Sequence, residues 1–201
     1  MAGTLSSPRT TAAPGSGSTC RTLGRPVFNV ATVPAMPVIV EDGHVQLIMM
    51  AWGFLPHRAK NLHGYHRPIN ARADTRTEKP IFRGLLKQNR CLIPTSGFYE
   101  SPLLAFAGLY EVWHDADGGA YPTSTIITRE ANDLVSLIHH RMQVILRPED
   151  EARWLGPHTA GTGRGEGDPR AVSPEAMDAY PVSPHVNSPT EDDEQLITPL
   201  S

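Results

Sequence analysis

The sequence predicts an α+β fold: a mainly antiparallel, curved, barrel-like β-sheet with a few short helices. Two observations point there. Short apolar runs bounded by turn residues recur through the middle of the chain, as in "PVIVEDGHVQLIMMAWG", "RCLIP", "LLAFAGLYEVW", "TSTIIT" and "QVIL". Runs of this length between Gly, Asp and Pro read as strands rather than helices. The composition agrees, because 39% apolar residues with 19 Pro and 17 Gly suit a modest core and much loop.

At 201 residues the chain holds one domain with a tail. Residues 1–22 are almost all Ser, Thr, Pro, Gly and Ala, too polar to offset their ordering entropy, and read as a disordered N-terminal tail. Residues 23–201 form the domain. Asp42-Gly43 is a hairpin signal between two strands. "HDADGGA" turns the chain between two more. Thr128 is an N-cap for a short helix through about Leu137. Pro148 with Glu149, Asp150 and Glu151 starts another, which carries Trp154 and Leu155; proline suits a first turn and acids suit the positive dipole end. The alternating glycines of "GPHTAGTGRGEGDPR" lack the Lys-Ser/Thr of a phosphate-cradling loop. "MDAYPVSPHVNSP" reads as a last extended segment.

Two cysteines, Cys20 and Cys91, make no disulfide framework, so a cytoplasmic protein is expected. No run is long enough for a membrane span. His57, His63 and His66 cluster without a cysteine and match no zinc motif, so neither metal nor cofactor is expected. Cys91, flanked by apolar residues, reads as a small buried hydrophobe. The net charge of −3 conceals an asymmetry. Residues 58–90 hold nine Lys/Arg against two Asp/Glu, a net of +7, and residues 149–201 hold three against eleven, a net of −8. A basic block in an acidic chain points to a phosphate-bearing partner, bound with salt-sensitive affinity.

Six blocks then carry a resemblance: Trp52-Gly53-Phe54-Leu55-Pro56, Asn70-Ala71-Arg72-Ala73-Asp74-Thr75, Arg90 to Glu100, Ala107 to Glu111, Ile138 to Met142, and Pro181 to Asn187. In this order they resemble the SOS response-associated peptidase family, the abasic-site-processing proteins. The resemblance implies a monomer that binds single-stranded DNA and forms a covalent crosslink with the abasic-site aldehyde, in the DNA damage response, with an autopeptidase activity. It implies a cytoplasmic protein that is nucleoid-associated when bound to DNA.

The residues matching the family's catalytic positions are Asn70, Glu100 and His139. Asn70 would orient the nucleophile, Glu100 would act as acid/base, and His139 would shuttle protons at the opening sugar. Arg72 and Arg141 match phosphate-contacting positions, and Trp52 is a stacking or packing platform. Glu111 has a supporting, structural role. The chain also departs from the family pattern. No thiol follows Met1, and Cys20-Arg21 is internal. Ser101-Pro102 stands where the family has a Trp, a turn and a further strand, a loss that would open a sheet edge or force re-pairing. Gln143 replaces a proline, Asp74 replaces a glutamate, and His140 sits where an acid is usual. An internal cysteine's amide nitrogen cannot form an imine, so three readings follow: an abasic-site processor with a different start or matured to expose Cys20, a degenerate, non-catalytic single-stranded DNA-binding relative, or a weak lyase in which the Ala2 amine forms a reversible imine.

Overall fold

The structure is a computed structural model and describes residues 35–62, 64–74, 80–95, 104–156, 172–188 and 190–200. The tail expected over residues 1–22 lies outside them. Residues 33–94 and 104–179 form one compact unit.

That unit is a mixed β-barrel. Strands β1 (Met36–Glu41) and β2 (Val45–Trp52) make an antiparallel hairpin around Asp42-Gly43. The alternation in β1 sends Met36, Val38 and Val40 inward. After β3 (Asn70–Arg72) come two single-turn helices, α1 (Pro80–Arg83) and α2 (Leu85–Gln88). Then follow β4 (Arg90–Thr95), β5 (Leu104–His114), β6 (Ala120–Glu130), α3 (Asp133–Ser136), β7 (Arg141–Gln143), β8 (Ile145–Leu146) and α4 (Pro148–Leu155). The ring β6–β2–β1–β4–β5 closes because β5 pairs back onto β6. Closure removes the unpaired edges that an open sheet of these strands would expose. Most pairings are antiparallel, but β2 and β3 both run parallel to β6.

The core joins barrel residues such as Leu92, Ala107, Leu109 and Ile127 to Phe82 and Trp154 from α1 and α4. The rings of Phe54 and Phe82 meet at 5.5 Å, tilted by 57°. Trp154 also donates its indole N–H to the Cys91 carbonyl at 3.0 Å. Beside it lies Arg90, a buried cation. Its guanidinium donates to the carbonyls of Leu86 at 2.6 Å and of Trp154 and Gly156. These oxygens belong to the C-terminal ends of α2 and α4, where orphan carbonyls and the negative dipole end favour a cation. One side chain thus ties two helices to β4.

Four expectations need correction. Thr128 does not cap a helix; it lies inside β6, and the helix is one turn, Asp133–Ser136, capped by the Asn132 side chain, which accepts from the Val135 N–H at 3.0 Å. Helices α1 and α2 stand where no helix was read, being too short for a hydrophobic period to register. The short strand β3 carries Asn70, a position that also fits a turn after Pro68. "QVIL" is not one strand: its residues divide between β7 and β8, with Val144 between them. Tyr180–Ser201 belongs to a second unit. There the extended segment expected from "MDAYPVSPHVNSP" contracts to a single bridge, Val182 to Pro199, followed by a 3-10 turn at Pro184–Asn187. Pro181 and Pro184 lack the N–H donors that a ladder needs.

Gly108 of β5 has no room for a side chain. A Cβ there would lie 2.8 Å from Cys91 Sγ, 2.9 Å from Ile93 Cδ1 and 3.1 Å from the Thr125 carbonyl. Gly108→Ala is therefore expected to destabilise the barrel by about 1–3 kcal/mol, the usual cost of overpacking. The urea unfolding midpoint checks this, and an unchanged midpoint would mean that β4 and β5 have slack.

Candidate functional site

Strand β6 positions the site. Its C-terminal half has a strand on each edge. On one edge lies β3, in parallel register: Asn70 opposite Ile126, Ala71 opposite Ile127 and Arg72 opposite Thr128. The period of two buries Ala71 and exposes Asn70 and Arg72 together. On the other edge lies β7, antiparallel: Thr128 opposite Gln143, Arg129 opposite Met142 and Glu130 opposite Arg141.

Asp74 links the two edges. Its carboxylate accepts from Arg72 Nη2 at 2.8 Å and Nε at 3.4 Å, and from Arg141 Nη2 at 3.1 Å. Arg141 is also anchored on β6, since its Nη2 donates to the Thr128 carbonyl at 2.8 Å and its Nε to Thr128 Oγ1 at 3.4 Å. Only 12% of the Arg141 side chain is exposed, whereas 55% of Arg72 is, so Arg141 is the fixed cation and Arg72 the accessible one. The Arg72 hydrogen bond, helped by Arg141, holds the Asp74 carboxyl well below the usual carboxylate range.

His139 stands two residues before Arg141 and is tied to it. The Arg141 backbone N–H donates to His139 Nδ1 at 3.0 Å. The same Nδ1 lies 2.9 Å from the Arg141 carbonyl oxygen, which only accepts, so the two contacts suit opposite tautomers and both hold the ring against the Arg141 backbone. The His140 ring, which is exposed, stacks on His139 at 4.3 Å. Trp52 ends β2, and its indole N–H donates to the Ile69 carbonyl at 2.9 Å, next to Asn70. Gly53, at φ +121°, then turns the chain off β2; that conformation favours glycine, and a Cβ there would lie 3.3 Å from Arg67 Cβ.

The structure therefore gathers Trp52, Asn70, Arg72, Arg141 and His139 along one stretch of β6. Glu100 lies outside the described residues, as do His63 and Cys20. Cys91 is fully buried, and burial pushes its thiol pKa up, so it stays protonated and is no nucleophile. Among the described residues no group of His, Cys, Asp or Glu could hold a metal ion. No helix of the described residues is long and apolar enough to cross a membrane. Sequence reasoning passed over Asp74 and Thr128 as site residues. Asp74 stands two places beyond Arg72, the spacing that keeps a strand's face, and that was the available signal.

These features define a class: a small mixed β-barrel that presents an amide, an imidazole and two arginines over one shared strand. The particular family follows from comparison with known proteins. Residues 10–102 and 100–189 match the SOS response associated peptidase (SRAP) family, and the chain belongs to it. The two matched segments overlap at residues 100–102, beside Ser101-Pro102. The chain is 38% identical over 191 residues to the abasic site processing protein YoqW of Bacillus subtilis, covering 86% of this chain and 85% of that one. It is 30% identical over 228 residues to the abasic site processing protein HMCES of Gallus gallus, covering 88% of this chain and 67% of that one. A crystal structure of a Bacteroides thetaiotaomicron protein superposes with a TM-score of 0.74 at 28% identity, over 87% of this chain and 84% of that one.

The depressed Asp74 carboxyl has a pH consequence. The ionised form is favoured by folding, so its contribution is complete above the free aspartate value of about 3.9 and is lost only as pH falls through the lower folded value. An NMR titration of the Asp74 carboxyl carbon is expected to show a midpoint clearly below that of a free aspartate. A midpoint at the free value would mean that the two arginine pairs do not persist in solution.

Proposed function

We propose that this chain binds single-stranded DNA and captures the ring-opened sugar of an abasic site in the DNA damage response. The observation that carries this is the gathering of Asn70, Arg72, His139 and Arg141 on β6, in a chain whose relatives are named abasic site processing proteins.

In this reading the arginines hold backbone phosphates, with Arg72 exposed enough to reach them and Arg141 setting the position of Asp74 and hence of Arg72. A neutral α-amine attacks the aldehyde carbon, and the resulting carbinolamine loses water to give an imine. Loss of that water needs a proton, for which the His139 imidazole and the Glu100 carboxyl are the donors. Asn70 orients the amine. A thiol on the same residue as the amine adds across the C=N bond and closes a stable thiazolidine; without it the imine stays reversible and permits strand cleavage by elimination, a lyase reaction. The family-associated autopeptidase step is what would uncover such an N-terminal residue. The protein acts as a monomer in the cytoplasm, nucleoid-associated while on DNA.

The test is incubation with a single strand bearing one abasic site. A heat-stable adduct identifies thiazolidine chemistry, and an adduct that needs borohydride trapping identifies a reversible imine. Binding without either adduct selects the non-catalytic relative. His139→Ala is expected to slow adduct formation by about 10²–10⁴-fold, the range of general acid–base catalysis. Arg72→Ala is expected to weaken binding and to flatten its dependence on salt, by about 0.7 in the logarithmic slope for one lost phosphate contact. Affinity unaffected by salt would count against the reading.

A further inference from the structure

A cleft of about 490 Å³ opens on the same unit, lined by Pro56, His57, Arg58, Tyr65, Leu85 and Glu111 among others. Its volume falls within the range of about 300–1,000 Å³ typical of small-molecule sites. Glu111 lies opposite Thr123 on β6, three residues before Ile126, which lies opposite Asn70. That offset separates Glu111 from Asn70 by about 10 Å along the strand, and Arg72, opposite Thr128, lies about 17 Å away. Residues 53–69, which lead from Trp52 to Asn70, supply Pro56, His57, Arg58 and Tyr65 to the cleft.

The carboxylate of Glu111 is the unusual element. Its side chain is only 17% exposed, and among the described residues its partner is His57, whose Nδ1 lies 3.3 Å from Oε2. A paired carboxylate ordinarily takes shorter bonds, of about 2.7–2.9 Å, and has acceptor sites for several. His57 is 64% exposed and so is easily displaced. Its Nε2 accepts from Arg58 Nε at 3.4 Å, which puts the ring proton of neutral His57 on Nδ1, toward Glu111. A partly buried carboxylate with acceptor capacity to spare on a cleft wall can take a further donor. Thr123 fixes both walls, since its hydroxyl accepts from the Leu55 N–H at 3.0 Å and donates to the Glu111 carbonyl at 3.4 Å. Apolar surface from Pro56, Ile81 and Leu85 lies beside the carboxylate, with the Tyr65 ring and the Arg58 cation also at the cleft.

We propose that this cleft binds a guanine base, from a nucleotide near the lesion on the same strand. Apolar walls and the Tyr65 ring suit a base, a carboxylate suits its donors, and Arg58 suits the adjoining phosphate. Guanine alone among the DNA bases presents an imino N–H and an amino N–H side by side, which match the two oxygens of one carboxylate. Adenine and cytosine offer one amino group, and thymine one imino N–H. The strand-borne form of the proposal rests on the single-stranded DNA reading above.

The experiment walks one guanine through the positions flanking the abasic site in an otherwise all-thymidine strand. Wild-type protein is expected to bind about tenfold more tightly at one position than to the all-thymidine strand, within the range of a bidentate base contact. In Glu111→Gln that preference is expected to vanish, with affinity for the all-thymidine strand retained. In parallel, guanosine monophosphate is titrated against thymidine monophosphate by NMR. The guanosine nucleotide alone is expected to shift the Tyr65 and His57 signals, and Glu111→Gln is expected to abolish the shift. Equal binding of all strands, or a preference that survives Glu111→Gln, overturns strand recognition. A mononucleotide shift with no strand preference reassigns the cleft to free guanine nucleotides, and no shift at all overturns guanine binding altogether. Failure to bind any single strand sinks the reading of the previous section, whereas the mononucleotide result still decides what the cleft recognises.

Discussion

The site depends on β6 being shared. A strand has two edges, and here each edge is used by more than one partner along its length: β2 and then β3 on one, β5 and then β7 on the other. Closing the barrel uses the N-terminal half of β6. The C-terminal half is left to take two short strands that could not persist alone. Those strands bring in Asn70 and Arg72 from one side and Arg141 from the other. Register then decides function. A slip of one residue in β3 would turn Asn70 and Arg72 into the core and expose Ala71. The burial of Ala71 against the core around Ile127 opposes such a slip.

Two guanidinium environments in this chain show how setting decides role. Arg90 is buried, and its donors meet helix-end carbonyls rather than an acid. A carbonyl satisfies a donor without bringing a second charge out of water, so the arrangement holds α2 and α4 without the desolvation of an ion pair. Arg72 and Arg141 share one exposed carboxylate instead, two cations to one anion. Glu130, opposite Arg141 on β6, also acts on Arg72 and brings the local charge to balance, and the cluster stays accessible through Arg72. An exposed ion pair adds little to stability. Its effect is to fix the direction of a side chain, which is what recognition of a phosphate requires.

Much of this fold was legible in the sequence, for a local reason. The hairpin at Asp42-Gly43, the apolar run of β5, the helix beginning at Pro148 and the buried Cys91 all rest on turn chemistry, run length or capping within a few residues. The misreadings arose where tertiary structure outweighed local preference. Thr128 has a capping side chain, but pairing with β3 and β7 on both edges keeps it in β6. Strand β3 has three residues and no period to detect; it exists because β6 offers an edge. The same holds for the site. Asn70, Arg72, His139 and Arg141 were legible through motif blocks. The role of Asp74 was not, because it joins Arg141 across 67 residues of sequence. Nor was the cleft, whose walls come from β5, α1, α2 and the stretch after β2.

The shortened connection after Glu100 gains meaning from the same topology. Loss of a family strand was expected to open a sheet edge or force re-pairing. Among the described residues the five-stranded ring closes, with β5 bonded to β4 on one side and to β6 on the other. The ring is thus complete without the strand whose loss the sequence led us to expect, and Glu100 stands on the chain between the end of β4 and the start of β5. Stability and chemistry are separable in this architecture. The pairings of the ring and of the β6 cluster use no residue between Thr95 and Leu104, whereas the acid/base role proposed for Glu100 rests on that connection. Under the proposed function, phosphate contact rests on the β6 cluster and adduct formation on Glu100 as well, so affinity and adduct yield are independent quantities in a variant of residues 96–103.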